Sequence, residues 1–240
     1  MKLVGERRAL AAAVLAFWTL LYGFFAFSRI VPELTPALGA LAGVYGVAFF
    51  SLVAGYFWAR WFAVGVALYG VITAAVGIWQ VGPEPVVLFI GGTHLAAAAM
   101  LWGDAMSVPF DGQTAWRTKF HMDDHAVQRL GKSVIRAGVS LPFVLLYALA
   151  PKPDDSMLTT LGAVGVLVLA TLGLRGLVQL KTWGVLALGA AGALLVAVAG
   201  VHLAKHGIGA AAIKPALAGG LLVAATAPFA SSMLRILAPR

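Results

Sequence analysis

The sequence predicts an all-α integral membrane protein with about eight transmembrane helices in two four-helix groups, and three observations carry that prediction. Of 240 residues, 61% are hydrophobic and only 11% charged, whereas soluble domains carry roughly 25% charged residues. The apolar residues gather into runs that, at about 1.5 Å rise per residue, are long enough to cross a hydrocarbon core of about 30 Å. The positive charges, finally, alternate from one connection to the next, as they do when cytoplasmic loops collect them.

Taken in order, the apolar runs cover residues 9–30, 37–58, 61–80, 85–102, 135–150, 158–174, 182–202 and 213–233. The first follows a charged start ending in Arg7-Arg8, but its apolar stretch exceeds the roughly 7–15 residues of a secretory signal. It therefore reads as a retained span. The second carries Gly39-x-x-x-Gly43, a spacing that lets helix backbones approach closely in lipid. Gly and Pro interrupt the third and fourth runs, which leaves six- and seven-span readings open. The runs after the long connection are instead rich in Gly and Ala, notably at 186–200 and 216–225.

With the N-terminus inside, the inner side collects Lys2, Arg7, Arg8, Arg60, Arg117, Lys119, Arg129, Lys132, Arg136, Arg175, Lys181, Arg235 and Arg240. Only Arg29, Lys152, Lys205 and Lys214 fall outside. The bias supports an even number of spans and places both termini in the cytoplasm, in a cell inner membrane. The Ala- and Gly-rich composition suggests a bacterial source. Because the net charge of +8 is spread between apolar runs and forms no basic tail, it points to membrane orientation and away from nucleic acid.

The chain divides into an aromatic-rich membrane half (1–102), a cytoplasmic linker with an amphipathic helix (103–134) and a Gly/Ala-rich membrane half (135–240). Of the aromatic residues, 21 lie at or before Phe120, and only Phe143, Tyr147, Trp183 and Phe229 follow it. A shift of 122 residues aligns Gly43-Val44 with Gly165-Val166, Ala48 with Ala170, Leu52 with Leu174, Trp61 with Trp183 and Gly70 with Gly192. The two halves are thus a candidate parallel internal repeat.

Few residues here carry chemistry. With no cysteine in the chain, disulfides, thiolate metal sites and cysteine nucleophiles are excluded. His94, in Gly91-Gly92-Thr93-His94, is the titratable side chain nearest the middle of a span, and an ionisable group in hydrocarbon is a functional candidate by default. Its alternative role is to hydrogen-bond a facing helix and lock the two together. Thr93, Tyr45 and Tyr69 complete the candidate ligand contacts. Phe17, Trp18, Tyr22 and the other aromatics of the first spans are candidate walls for a flat or lipidic molecule.

His121 and His125, four apart with Asp124 between, share one face of a helix and have a spacing that suits a metal such as zinc. Two acids at a helix start also suit its positive end. His202 and His206 repeat the spacing beside Lys205 and read as interfacial polar residues. From 124 to 136, Val127, Leu130 and Val134 mark one helical face and Arg129, Lys132 and Arg136 another. Such a helix lies on the inner leaflet or runs into the fifth span, its cations meeting anionic headgroups or a protein partner.

The run Phe110-Asp111-Gly112-Gln113-Thr114-Ala115-Trp116-Arg117 is similar to the Asp-Gly-x-x-Ala-Arg core of the CDP-alcohol phosphotransferases over those few residues. Trp116 stands where the arginine belongs, and Val108, Arg129 and Ser133 stand where further aspartates belong, so the two-metal site of those enzymes cannot assemble. No phosphate loop or serine–histidine arrangement occurs, and no cofactor is implied. The leading expectation is a protein that binds or transports a small, mostly uncharged or lipophilic molecule. The alternatives are a non-catalytic membrane subunit, with a protein partner at 103–134 or a second copy of itself, and a membrane-embedded lipid-modifying enzyme.

Overall fold

The structure is a computed structural model that describes residues 3–111, 118, 122–151, 157–207 and 210–237. Eight long helices follow one another among these: α1 (Val4–Ser28), α2 (Thr35–Ala54), α3 (Ala59–Val81), α4 (Pro85–Leu101), α5 (Asp124–Leu149), α6 (Met157–Val178), α7 (Thr182–His206) and α8 (Ala210–Leu237). Seven have the length and apolar character to cross a membrane, and α4 is shorter, with 17 residues. The chain is an all-α, multi-pass membrane protein of about eight helices. It separates into two compact units, 1–124 and 125–240.

In the first unit, α1 packs on α2 and α4, and α3 packs on α4 and α2, which closes a ring of four. The connections are short, as an up-and-down bundle requires. α2 ends in a Schellman turn: Gly55 takes φ 76°, its N–H bonds Leu52 O, and Tyr56 N–H reaches back to Ser51 O. Glycine meets no Cβ clash in that left-handed position. Small residues set the α3–α4 seam, since a Cβ at Gly91 would meet Ala74 at 2.9 Å and one at Gly77 would meet Val87 at 3.0 Å.

Three arginines close one end of this unit. Arg8 donates through Nε and Nη2 to Leu52 O at 3.1 and 2.8 Å and to Val53 O at 2.7 Å. Arg7 reaches Ala99 O and Trp102 O at 3.1 and 2.6 Å, and Arg60 reaches Leu101 O and Gly103 O at 2.9 and 3.0 Å. The last carbonyls of a helix have no intrahelical donor and carry the negative end of its dipole. Cationic donors therefore satisfy both needs at the ends of α2 and α4.

The second unit uses smaller contacts. Gly176 of α6 and Gly184 of α7 touch backbone to backbone, so a Cβ at either would collide with the other helix. Gly192 of α7 and Gly219 of α8 do the same one step along, where an added Cβ would meet the facing carbonyl at 2.9 and 2.7 Å respectively. The turn from α6 to α7 is a second Schellman motif, with Lys181 N–H on Gly176 O and Leu180 N–H on Leu177 O. Here a leucine occupies the left-handed position, at φ 59°.

α5 meets α8 through polar contacts. Ser140 Oγ donates to Ala218 O at 2.8 Å, and Arg136 Nη1 donates to Ala224 O at 2.6 Å. The second contact has a covalent cause. Pro228 lies inside α8 and has no N–H to offer the carbonyl four residues earlier, which is that of Ala224.

The amphipathic start of α5 is continuous with the fifth span, and Val127, Leu130 and Val134 are buried while Arg129 and Lys132 are exposed. Shifting the starts of α1–α4 (4, 35, 59, 85) by 122 gives 126, 157, 181 and 207, within three residues of the starts of α5–α8 at 124, 157, 182 and 210. Helix order and spacing thus repeat, although the close pairings differ: α1–α2 and α3–α4 in the first unit, α6–α7 and α7–α8 in the second.

Two stability outcomes follow. Gly184→Ala and Gly192→Ala should each cost roughly 1–3 kcal/mol by overpacking, whereas Gly200→Ala, which meets nothing within 4 Å, should be near neutral. Reversible unfolding in mixed micelles measures the difference. Arg136→Ala should cost about 1–3 kcal/mol by stranding a carbonyl. In a Pro228→Ala background, where the substituted residue brings an N–H that can take that carbonyl, the same change at Arg136 should cost measurably less.

Candidate functional site

The polar groups of the first unit's interior meet around His94, whose side chain is buried. Its Nδ1 lies 2.7 Å from Ile90 O, one turn back on α4. A carbonyl only accepts, so Nδ1 carries the proton, and Nε2 of the neutral ring is left as an acceptor. The Tyr45 hydroxyl of α2, 2.6 Å away, donates to it. The Tyr22 ring of α1 packs against Tyr45, with centroids 5.3 Å apart.

A second branch begins at Thr93. Its hydroxyl turns onto its own helix, 2.8 Å from Phe89 O and 3.1 Å from Ile90 O, and accepts a hydrogen bond from Trp18 Nε1 at 3.2 Å. The Trp18 ring leans over the imidazole with centroids 4.7 Å apart, and Tyr45 meets it edge-on at 5.7 Å. Phe17 and Phe89 extend the aromatic wall, their centroids 5.9 Å apart.

α3 contributes space. A Cβ built on Gly70 would fall within the imidazole of His94. The glycine thus opens the socket into which the ring fits, and the seam set by Gly77 and Gly91 ends here.

No protein-family model, curated protein or solved structure matches the chain. Both ring nitrogens of His94 are used within the unit, Thr93 is held between α1 and α4, and the imidazole is enclosed by Gly70, Trp18 and Tyr45. Chemically, the arrangement ties three helices to α4 by two side-chain hydrogen bonds and one close fit.

The structure brings His94, Thr93 and Tyr45 together. Tyr69 is buried beside Gly70 on α3. Trp18 and Tyr22, which the sequence offers among its candidate aromatic walls, belong to the cluster, and so does Gly70, which no signal in the residues marks as part of it. Arg129 and Lys132 are exposed, Arg129 donating to His125 O at 3.4 Å, whereas Arg136 is committed to Ala224 O. Asp124 and His125 are exposed at the start of α5. His121 and most of the run 110–117 lie outside the described residues. Among the described residues, no three His, Asp or Glu side chains converge.

The socket gives a direct test. Gly70→Ala should cost roughly 1–3 kcal/mol by overpacking, and that cost should largely vanish in a His94→Ala background, where the ring is gone. Tyr45→Phe should cost about 1–2 kcal/mol by leaving Nε2 unpaired. Thermal unfolding of the four variants in detergent gives the coupling, and additive costs would remove Gly70 from the site.

Proposed function

We propose that this chain is a non-catalytic membrane subunit, in which the His94 cluster fastens helices and the cytoplasmic start of α5 meets a protein partner. One observation carries this reading: both nitrogens of the midspan histidine are engaged, by Ile90 O and by Tyr45, inside a socket that Gly70 leaves open. A neutral histidine whose two nitrogens are both paired within the protein sits in hydrocarbon without needing a ligand. α5 supplies the contact surface. Its 26 residues span about 39 Å, which exceeds a hydrocarbon core of about 30 Å, and the charge bias assigns its exposed Arg129 and Lys132 to the cytoplasmic side.

A second reading is the binding or transport of a small, mostly uncharged or lipophilic molecule. The convergence of Trp18, Tyr22, Tyr45 and Thr93 on His94 favours it, because a few polar groups within aromatic walls are the usual makeup of a ligand pocket. Entry would require the ligand to displace Tyr45 from Nε2 or Trp18 from Thr93.

Native mass spectrometry of the gently solubilised protein separates the two. The subunit reading expects a protein partner in fixed stoichiometry that His94→Ala leaves bound and that Arg129→Glu with Lys132→Glu releases. A defined small molecule carried by wild type and lost in His94→Ala, with no protein partner, would replace that reading with the second.

A further inference from the structure

The arginines at the end of the first unit do more than cap helices, and their arrangement does not depend on the proposed subunit role. Arg7 and Arg60 grip carbonyls that alternate along one short stretch of backbone: Leu101 and Gly103 take Arg60, and Trp102 between them takes Arg7. Two guanidinium groups are thereby held side by side at the end of α4. Arg8 is fixed at the end of α2 and lies over the Phe110 ring, 5.3 Å from its centroid. Each helix C-terminus offers a compensating charge of only about −0.5. The unit charges of Arg7 and Arg8 each exceed the dipole end that they meet.

Both of these guanidinium groups keep donors open. Backbone carbonyls use Nη2 of Arg7 and both Nε and Nη2 of Arg8, which leaves Nε and Nη1 of Arg7 and Nη1 of Arg8. Among the described residues, neither Arg7 nor Arg8 has a carboxylate partner. A guanidinium held in one orientation recognises tetrahedral oxyanions better than a flexible ammonium does. Carbonyl contacts hold these two in place.

The depth of the cluster identifies the anion. Trp102 is itself the carbonyl that Arg7 grips, and its side chain is exposed. Tyr56 and Trp58 stack in parallel in the connection that follows the Arg8-capped helix, and Tyr56 is exposed. Tyrosine and tryptophan collect at headgroup level, so an exposed aromatic belt at the same end sets the arginines at the level of lipid phosphates. The charge bias assigns this end to the cytoplasmic leaflet, where anionic lipids reside.

We propose that Arg7 and Arg8 form a binding site for the phosphate of an anionic phospholipid headgroup. The full chain, reconstituted in vesicles of equal phosphatidylglycerol and phosphatidylcholine and then released into a native mass spectrometer, gives the readout. Wild type should retain phosphatidylglycerol in about tenfold or greater excess, and raised salt before release should erode that excess. Arg7→Gln with Arg8→Gln should bring the ratio near one, while Arg29→Gln, which removes a charge at the other end of α1, should leave it unchanged.

Equal retention of the two lipids by wild type overturns the proposal, whether or not the double variant folds. So does an excess that survives the double substitution. Inorganic phosphate, tested as the alternative source of the same chemistry, should not raise the melting temperature in neutral detergent. If it stabilises as well as phosphatidylglycerol does, the site belongs to a free phosphate and the lipid assignment fails.

Discussion

Hydrocarbon offers no hydrogen bonds, so any backbone carbonyl that a helix leaves unpaired near the membrane must find its donor within the chain. Much of this structure follows from that constraint. α2 and α4 end on carbonyls that Arg7, Arg8 and Arg60 satisfy, and Arg136 supplies the bond that Pro228 withholds from Ala224. These contacts reach across 41 to 95 residues of sequence. The same arginines therefore cap helices and join distant spans.

Packing answers a second constraint. Lipid tails compete equally for apolar side chains, so helices in a membrane associate through close fit and hydrogen bonds. The second unit achieves that fit by bringing glycine backbones into contact, at Gly176 with Gly184 and at Gly192 with Gly219. The first unit matches small residues to larger partners along the α3–α4 seam, at Gly91 with Ala74, Gly77 with Val87 and Gly70 with His94. His94 is then the polar end of a packing seam as well as the hub of a hydrogen-bond cluster. That dual placement is the physical basis for reading the cluster as a fastening.

Some of this is legible in the residues and some is not. The 122-residue shift aligns scattered Gly, Ala and Trp residues, and the helix starts follow the same shift within three residues. Side-chain identities differ between the halves while the spacing of the helix starts is kept within three residues. His94, Thr93 and Tyr45 stand out because polar side chains are conspicuous in apolar runs. Gly70 does not, because nothing in a glycine announces what will fill the space it leaves. Arg136 reads as a surface cation because only its position against α8, facing a carbonyl four residues before a proline, reveals the group it serves.

By itself the sequence determined that the chain is helical and membrane-embedded, about how many times it crosses, and roughly where each span begins and ends. Those properties depend on local sums: some twenty apolar residues favour burial in lipid wherever they occur. Tertiary structure alone decided which face of each helix turns inward, and with it every long-range polar partnership. Most of these helices are apolar all round, so hydropathy does not mark an inner face. The start of α5 is the exception, where charge and apolarity separate by face and the buried side could be read directly. Elsewhere the choice fell to shape, to where a glycine opens room for an imidazole and where an arginine can reach an unpaired carbonyl.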